Sequence, residues 1–479
     1  MEQGGSSGRR CAMPMGVEVG SHTEIPETQT EGGQEQGDRA TGETVKLQQK
    51  RREMAANRTH TASAEWTKLE AEVRELENTL AAKWRKLSRL RWIREGDAPP
   101  KFLFSILKAR RVQEEISTLV KDDGMRLEDD DNILEELKQY YQDLYRQLPV
   151  SEEDEELRRH ILKLMHKRIS DAHNAYLIEE PNEEEIEKVI RNLKTEKAPG
   201  IDGMTAEVLQ LLWRHAPGDV VGFVHKFWET RKLAWKQQTG VIKLIPKEGD
   251  RQRIKNWRPL TLLNAGYKLV SKLMVNRMRL VLPEIVDTQQ KGFIQGRKLT
   301  DSVLNFLLCQ EWVEKCQQEM LFIKLDFEKA YDWVNHKYLW QVMETTGFDL
   351  KFIQLTKGLV EGSTSKIHMN GRFSQEFLIE RGVKQGCPLA PLLFSLSTEP
   401  LMVLMKKQER DGNLEGLYLA GSKTALYNFF ADDSGVFLKA SQMNFRTLQQ
   451  TISMYERISR AKLNLEKSTV IPIGMNFTP

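Results

Sequence analysis

The stretch LFIKLDFEKAYDWV, residues 321–334, decides the architecture. Residues 321–325 form a short run, apolar but for Lys324, that stops at a carboxylate, the length of a strand rather than a helix. Asp326 stands where this strand ends, and residues 328 to about 345 read as a helix that follows after almost no loop. A second stretch, ALYNFFADDSGVFL (425–438), reads as a hairpin whose turn holds Ala431, Asp432 and Asp433. Phe429, Phe430, Val436 and Phe437 make both arms apolar, so the hairpin is expected in a core with its acidic tip facing a cleft. If the two strands are neighbours in one sheet, Asp326, Asp432 and Asp433 converge at its edge. Hard cations choose oxygen ligands, and two Mg²⁺ ions in such a cluster clamp an in-line phosphoryl displacement. Asp is also a favoured turn residue, so a solvated acidic turn accounts for Asp432 and Asp433 taken alone.

Working outward, residues 239–246 form a β-branched strand that ends in Ile245-Pro246-Lys247, and after a polar loop comes Trp257-Arg258-Pro259-Leu260. Residues 183–193 read as a helix that stops before KAPG and a PGIDG turn at 199–203. Strands interleaved with helices predict an α+β fold. Upstream, Trp66, Leu69, Val73, Leu76, Leu80 and Trp84 recur at three- and four-residue intervals along a charged helix. The stretch from Gly96 to Pro100 breaks it, and residues 102–119 and 131–145 resume a helical period. Residues 1–65 contain no Phe, Trp or Tyr and read as a disordered arm. The expected organisation is therefore an arm (1–65), a helical connector (66–180), an N-terminal extension (181–226) and a main domain (227–479).

The chain has 479 residues, of which 40% are hydrophobic and 29% charged, a composition that excludes a small disulfide scaffold and fits an intracellular protein. The longest apolar run, 387–398, falls short of the roughly 20 residues of a membrane span, so no membrane partner is expected. Cys11, Cys309, Cys316 and Cys387 lie far apart and form no metal-binding pair. Net charge is only +3, yet residues 231–300 hold sixteen Lys and Arg against four acidic residues, while residues 121–190 sum to −11. A basic segment of that density tracks phosphates, although a solvated helical face gives the same count.

Seven segments in order resemble the reverse transcriptase of non-LTR, LINE-type retrotransposons. KAPGIDGMTAEVL (197–209) is similar to the family's N-terminal fingers motif, and VIKLIPKEGD with NWRPLTLLNAGYKLVSKLMVNRM (241–278) to its fingers. TQQKGFIQGR (288–297) resembles the next block and FIKLDFEKAYDWV (322–334) the first palm motif. GVKQGCPLAPLLFSL (382–396), FFADDSG (429–435) and KLNLEKS (462–468) are similar to the three that follow. SRLRWIREGDAPPKFLFSILKARR (88–111) resembles the connector that precedes the polymerase in plant-type elements.

The resemblance implies a right-hand palm-and-fingers fold and an RNA-directed DNA polymerase using two Mg²⁺ ions. Its partners would be an RNA template, a DNA primer or target DNA, and deoxynucleoside triphosphates. Asp326, Asp432 and Asp433 would form the metal-binding triad, with the Phe327 carbonyl as a further ligand. Lys247 and Arg258 would reach the triphosphate. Tyr331 matches the aromatic that excludes a 2′-hydroxyl, Gln385 and Gly386 would sit against template and nucleotide, and Lys467 would protonate pyrophosphate. Priming at nuclear DNA implies nuclear access.

No upstream stretch resembles the family's endonuclease, and eleven residues follow Ser468, so a truncated element without thumb or zinc knuckle is the expectation. The alternative is a catalytically silent remnant that binds nucleic acid. A viral RNA-dependent RNA polymerase would carry Gly where Ala431 stands and a carboxylate where Tyr331 stands.

Overall fold

The structure is a computed structural model describing residues 71–72, 74–75, 78, 115–419, 422–424, 426–430 and 433–474. Two compact units divide the chain, residues 1–109 and 110–479. In the first, the described residues 71–72, 74–75 and 78 are helical, while the arm 1–65 and the apolar stripe itself lie outside the described residues.

The second unit mixes helix and sheet. It begins with β1 (Leu119–Val120), β2 (Arg126–Leu127), α1 (Asp130–Tyr145), α2 (Glu152–Leu162), α3 (Asp171–Ile178), α4 (Glu183–Arg191), α5 (Ala206–His215), α6 (Pro217–Thr230) and the short α7 (Trp235–Gln238). Then come β3 (Gly240–Pro246), β4 (Trp257–Leu262), α8 (Ala265–Ile285), α9 (Leu299–Lys315), β5 (Met320–Asp326), α10 (His336–Thr345) and α11 (Leu350–Val360). The remainder is β6 (Thr364–Met369), β7 (Arg372–Phe373), β8 (Phe377–Leu378), α12 (Ala390–Arg410), β9 (Leu417–Leu419), β10 (Ser422–Thr424), β11 (Leu426–Phe430), β12 (Asp433–Lys439), α13 (Gln442–Ser459) and β13 (Thr469–Ile473).

The site rests on a four-stranded antiparallel sheet of order β11-β12-β5-β13. Because side chains alternate across a strand, β5 sends Ile323 and Leu325 to one face, where Val436 and Leu438 of β12 join them. That face is covered by Leu401 and Met405 of α12 and by Leu448, Ile452, Tyr455 and Ile458 of α13. The opposite face carries the register partners Phe322 and Phe437, ring centroids 4.8 Å apart, against Phe306 of α9. Asp326 has the parity of Phe322. It therefore belongs to the face turned away from α12 and α13, at the end where apolar cover runs out.

A second sheet, β4-β3-β6-β7 with β8 beside β6, buries Ile242, Leu244, Trp257, Ile367 and Met369 against Ile133, Leu137 and Tyr141 of α1. The helix is amphipathic and starts at Asp129, whose carboxylate accepts the N–H groups of Asp131 and Asn132. The acidic segment that reads as a connector thus contributes, from residue 116 to 145, to the same core as the strands of this sheet.

Two local expectations are corrected. Residues 328–333 are turns, and α10 starts only at His336, because the Asn335 side chain caps it by accepting the Tyr338 N–H at 2.8 Å. Lys329 within that loop adopts a left-handed conformation, φ 43°, which no helix continues. Residues 115–118 are not helical, and Leu119–Val120 pairs with Arg126–Leu127. The hairpin register has Phe430 opposite Asp433, so Asp433 opens β12 and the intervening pair, 431–432, lies outside the described residues.

Candidate active site

Asp433 is the direct register partner of Asp326. Residues opposed in this way share one face of the sheet. The expected adjacency of β5 and β12 is therefore observed, with Asp432 outside the described residues. Among the described residues no group of three or more His, Cys, Asp or Glu side chains converges.

The end of β5 is held from its other side by the KLNLEKS loop. Asn464 N–H donates to the Asp326 carbonyl at 2.7 Å, and Glu328 N–H donates to the Lys462 carbonyl at 2.8 Å. Asp326 N–H donates to Ser468 Oγ at 3.2 Å. These bonds leave the Phe327 carbonyl out of the bridge between Phe327 and Leu463. Phe327 itself packs its ring on Tyr455, which anchors the strand end in the core. Carboxylate and carbonyl oxygens, such as those of Asp326 and Phe327, are donors that a hard divalent cation takes.

Lys247 follows β3 and Arg258 lies on β4, and both are exposed. Lys247 N–H donates to the Asn256 carbonyl at 2.7 Å while Arg258 pairs with Ile245, so Lys247 and Arg258 occupy one face of the hairpin. Partial burial, then the positive charges of Lys467 and Arg258, depress the Lys247 pKa below that of an ordinary lysine. Lys329 adds to this repulsion and Asp332 opposes it. Three residues singled out from two distant motifs thus lie within one electrostatic neighbourhood. Cations held together against their own repulsion form a natural seat for a polyanion.

Tyr331 is half-buried, its ring 4.9 Å from Phe394 of α12, and its carbonyl accepts the Val383 N–H at 2.8 Å. Gln385 is joined to β4 by the Thr261 N–H, which donates to the Gln385 carbonyl at 2.7 Å. Gly386 is exposed, with φ +115°, and a Cβ there would stand 2.5 Å from the Thr261 carbonyl oxygen. Only glycine permits that approach. Lys467 is exposed.

Residues that sequence reasoning missed brace this set. Asp332 is buried, accepts Tyr145 Oη–H at 2.8 Å and Gln385 Nε2–H at 2.8 Å, and is pushed up to about 6 by burial. Lys384 is also buried; it donates to the Gln238 carbonyl at 2.6 Å and is pushed down to about 7 by desolvation. Lys329 donates to Tyr140 Oη at 2.7 Å. A polar residue inside a motif was the one available signal for Asp332 and Lys384; nothing local marks Tyr140 or Tyr145.

Residues 245–477 match the family described as reverse transcriptase (RNA-dependent DNA polymerase). The chain is 27% identical over 444 residues to the transposon TX1 uncharacterized 149 kDa protein of Xenopus laevis, covering 91% of this chain and 33% of that protein. It is 26% identical over 301 residues to the Pol polyprotein of the type-1 retrotransposable element R2 of Popillia japonica, covering 61% of this chain and 39% of that one. The RNA-directed DNA polymerase of the mobile element jockey of Drosophila funebris is 27% identical over 266 residues, 54% of this chain and 27% of the relative. Residues 245–477 are thus similar to reverse transcriptases, and the chain resembles proteins of non-LTR retrotransposons, spanning about a third of the length of these relatives. Apo telomerase from Candida tropicalis aligns at a TM-score of 0.35 and 17% identity over 55% of each chain.

Proposed function

We propose that this chain is an RNA-directed DNA polymerase that copies the RNA of a non-LTR retrotransposon into DNA by two-metal nucleotidyl transfer. The observation that carries this reading is the direct register of Asp326 with Asp433 inside the segment that matches reverse transcriptases. Residues 227–479 act as fingers and palm, and residues 181–226 as the N-terminal extension of the fingers.

Asp326, Asp432, Asp433 and the Phe327 carbonyl would hold two Mg²⁺ ions, which when bound would supply activation of the primer 3′-hydroxyl and charge neutralisation of the leaving pyrophosphate. Lys247 and Arg258 bind the triphosphate of the incoming deoxynucleotide, Arg258 as a fork and Lys247 as a point charge. Tyr331 closes the space beside C2′ of the sugar, and Gln385 and Gly386 let template and nucleotide lie against the backbone. Lys467 delivers a proton to the departing pyrophosphate. The template is element RNA and the primer an end of target DNA, which requires entry to the nucleus.

Primer extension on an RNA template with Mg²⁺ and deoxynucleotides tests the proposal. Extension by the chain, abolished by Asp326→Asn, supports it. RNA binding without extension by the wild-type chain refutes it and leaves a nucleic-acid-binding remnant.

A further inference from the structure

Among the described residues, the amide of Gln385 meets one carboxylate, that of Asp332. Its Nε2 lies 2.8 Å from one oxygen of Asp332, whose other oxygen accepts Tyr145 Oη–H at 2.8 Å. An ionised carboxylate accepts and never donates, so it fixes which end of the amide faces it and turns Oε1 away. Tyr145 belongs to α1, outside the residues 245–477 that match the family. The end of α1 is bound to the Gln385 loop by further bonds. Glu380 and Arg381 N–H both donate to the Tyr145 carbonyl, at 3.0 and 3.1 Å, and Arg381 Nε donates to the Leu144 carbonyl at 2.8 Å. Gly382 approaches so closely that a Cβ would stand 2.6 Å from the Asp332 carbonyl oxygen.

We propose that Asp332, held by Tyr145 of α1, is a positioning residue that presents Gln385 Oε1 to the incoming nucleotide as a hydrogen-bond acceptor of fixed orientation. This rests on the polymerase reading above, in which Gln385 lies against the nucleotide. Asp332 itself is buried and touches no substrate; it acts through Gln385. The groups that face its charge are Tyr141 and Tyr145 from α1, Lys329 from its own loop, Lys247 after β3, and Arg381 and Gln385 from the loop before α12. Protonation of Asp332 lets it donate to Oε1, and the amide then loses its single orientation.

The test uses the full chain with Asp332→Asn, Tyr145→Phe, Gln385→Ala and the Asp332→Asn/Gln385→Ala pair. Two readouts are taken: KM and kcat for deoxynucleotide in primer extension, and nucleotide-dependent retention of a dideoxy-terminated primer on RNA, which needs no chemistry. Loss of a hydrogen bond to a charged group predicts a rise in KM of about tenfold for Asp332→Asn, with retention weakened alike and kcat nearly unchanged. Tyr145→Phe moves both in the same direction by less. In the Gln385→Ala background Asp332→Asn adds nothing, since the two act as one unit. Wild-type KM rises as pH falls through about 6, and the Asp332→Asn profile is flat. A wild-type-like Asp332→Asn, or additive effects in the pair, overturns the inference and leaves the polymerase reading intact. If Asp332→Asn does not fold, Tyr145→Phe decides, and an unchanged KM there overturns it. A wild-type chain that neither extends nor retains primer with nucleotide overturns both.

Discussion

Ser468 Oγ accepts the backbone N–H of Asp326 at 3.2 Å and donates its own proton to the Asn464 carbonyl at 2.7 Å. One hydroxyl thereby ties the end of β5 to the KLNLEKS loop that carries Lys467. Ser468→Ala leaves a half-buried N–H without its acceptor, a penalty of about 1–3 kcal/mol. Primer extension should fall roughly tenfold or more if that penalty appears in the transition state. Ser468→Thr, which keeps the hydroxyl, should restore most of it.

Asp326→Asn keeps the size of the side chain and removes its charge. Extension should disappear while RNA affinity stays nearly unchanged, because metal clamping acts in the transition state and affinity comes mainly from basic contacts to phosphates. Asp432→Asn should behave alike. Filter binding beside extension reads both; activity surviving in either variant ends the two-metal assignment.

Lys247→Ala and Arg258→Ala remove two members of the cationic cluster. Each should raise the deoxynucleotide KM by about tenfold or more, as loss of a charge-assisted contact does, and leave RNA affinity within about threefold. A larger effect on RNA than on nucleotide would move the pair from the triphosphate to the template.

Tyr331→Ala should increase ribonucleotide use relative to deoxynucleotide use in competition assays. The ring also packs on Phe394, so the melting temperature should fall with it, by an amount that matches the loss of about 1–3 kcal/mol of aromatic packing. An unchanged sugar ratio assigns the steric gate to another residue.

Glu399, buried on α12, accepts the Asp287 N–H at 2.9 Å, and burial raises its carboxyl to about 7 from an ordinary 4.5. With a folded pKa above the unfolded one, its stabilising effect is complete below about 4.5 and is lost as pH rises through about 7. Glu399→Gln, permanently neutral, should therefore melt higher than wild type at pH 8, by up to about 3 kcal/mol in stability, and equal it near pH 4. Thermal melts at the two pH values settle the sign.

Local chemistry made much of this protein legible. The strand ending at Asp326, the apolar hairpin around residues 431–432 and the β-branched strand before Lys247 follow from side-chain periodicity, which acts over a few residues. Their tertiary pairing did not follow from that source. The opposition of Asp326 and Asp433, and the gathering of Lys247, Arg258 and Lys467, depend on sheet order and register, set by packing of Phe322 on Phe437 and of Ile323 and Val436 on α12 and α13. The loop from residue 328 to 335 read as helix because Glu, Lys and Ala favour one. Tertiary bonds from Tyr145, Gln385 and the Lys462 carbonyl, with the Asn335 cap, outweigh that propensity. Tyr145 and Asp332 lie 187 residues apart. A hydrogen bond across that separation leaves no periodicity in either segment, so only the folded chain could reveal it.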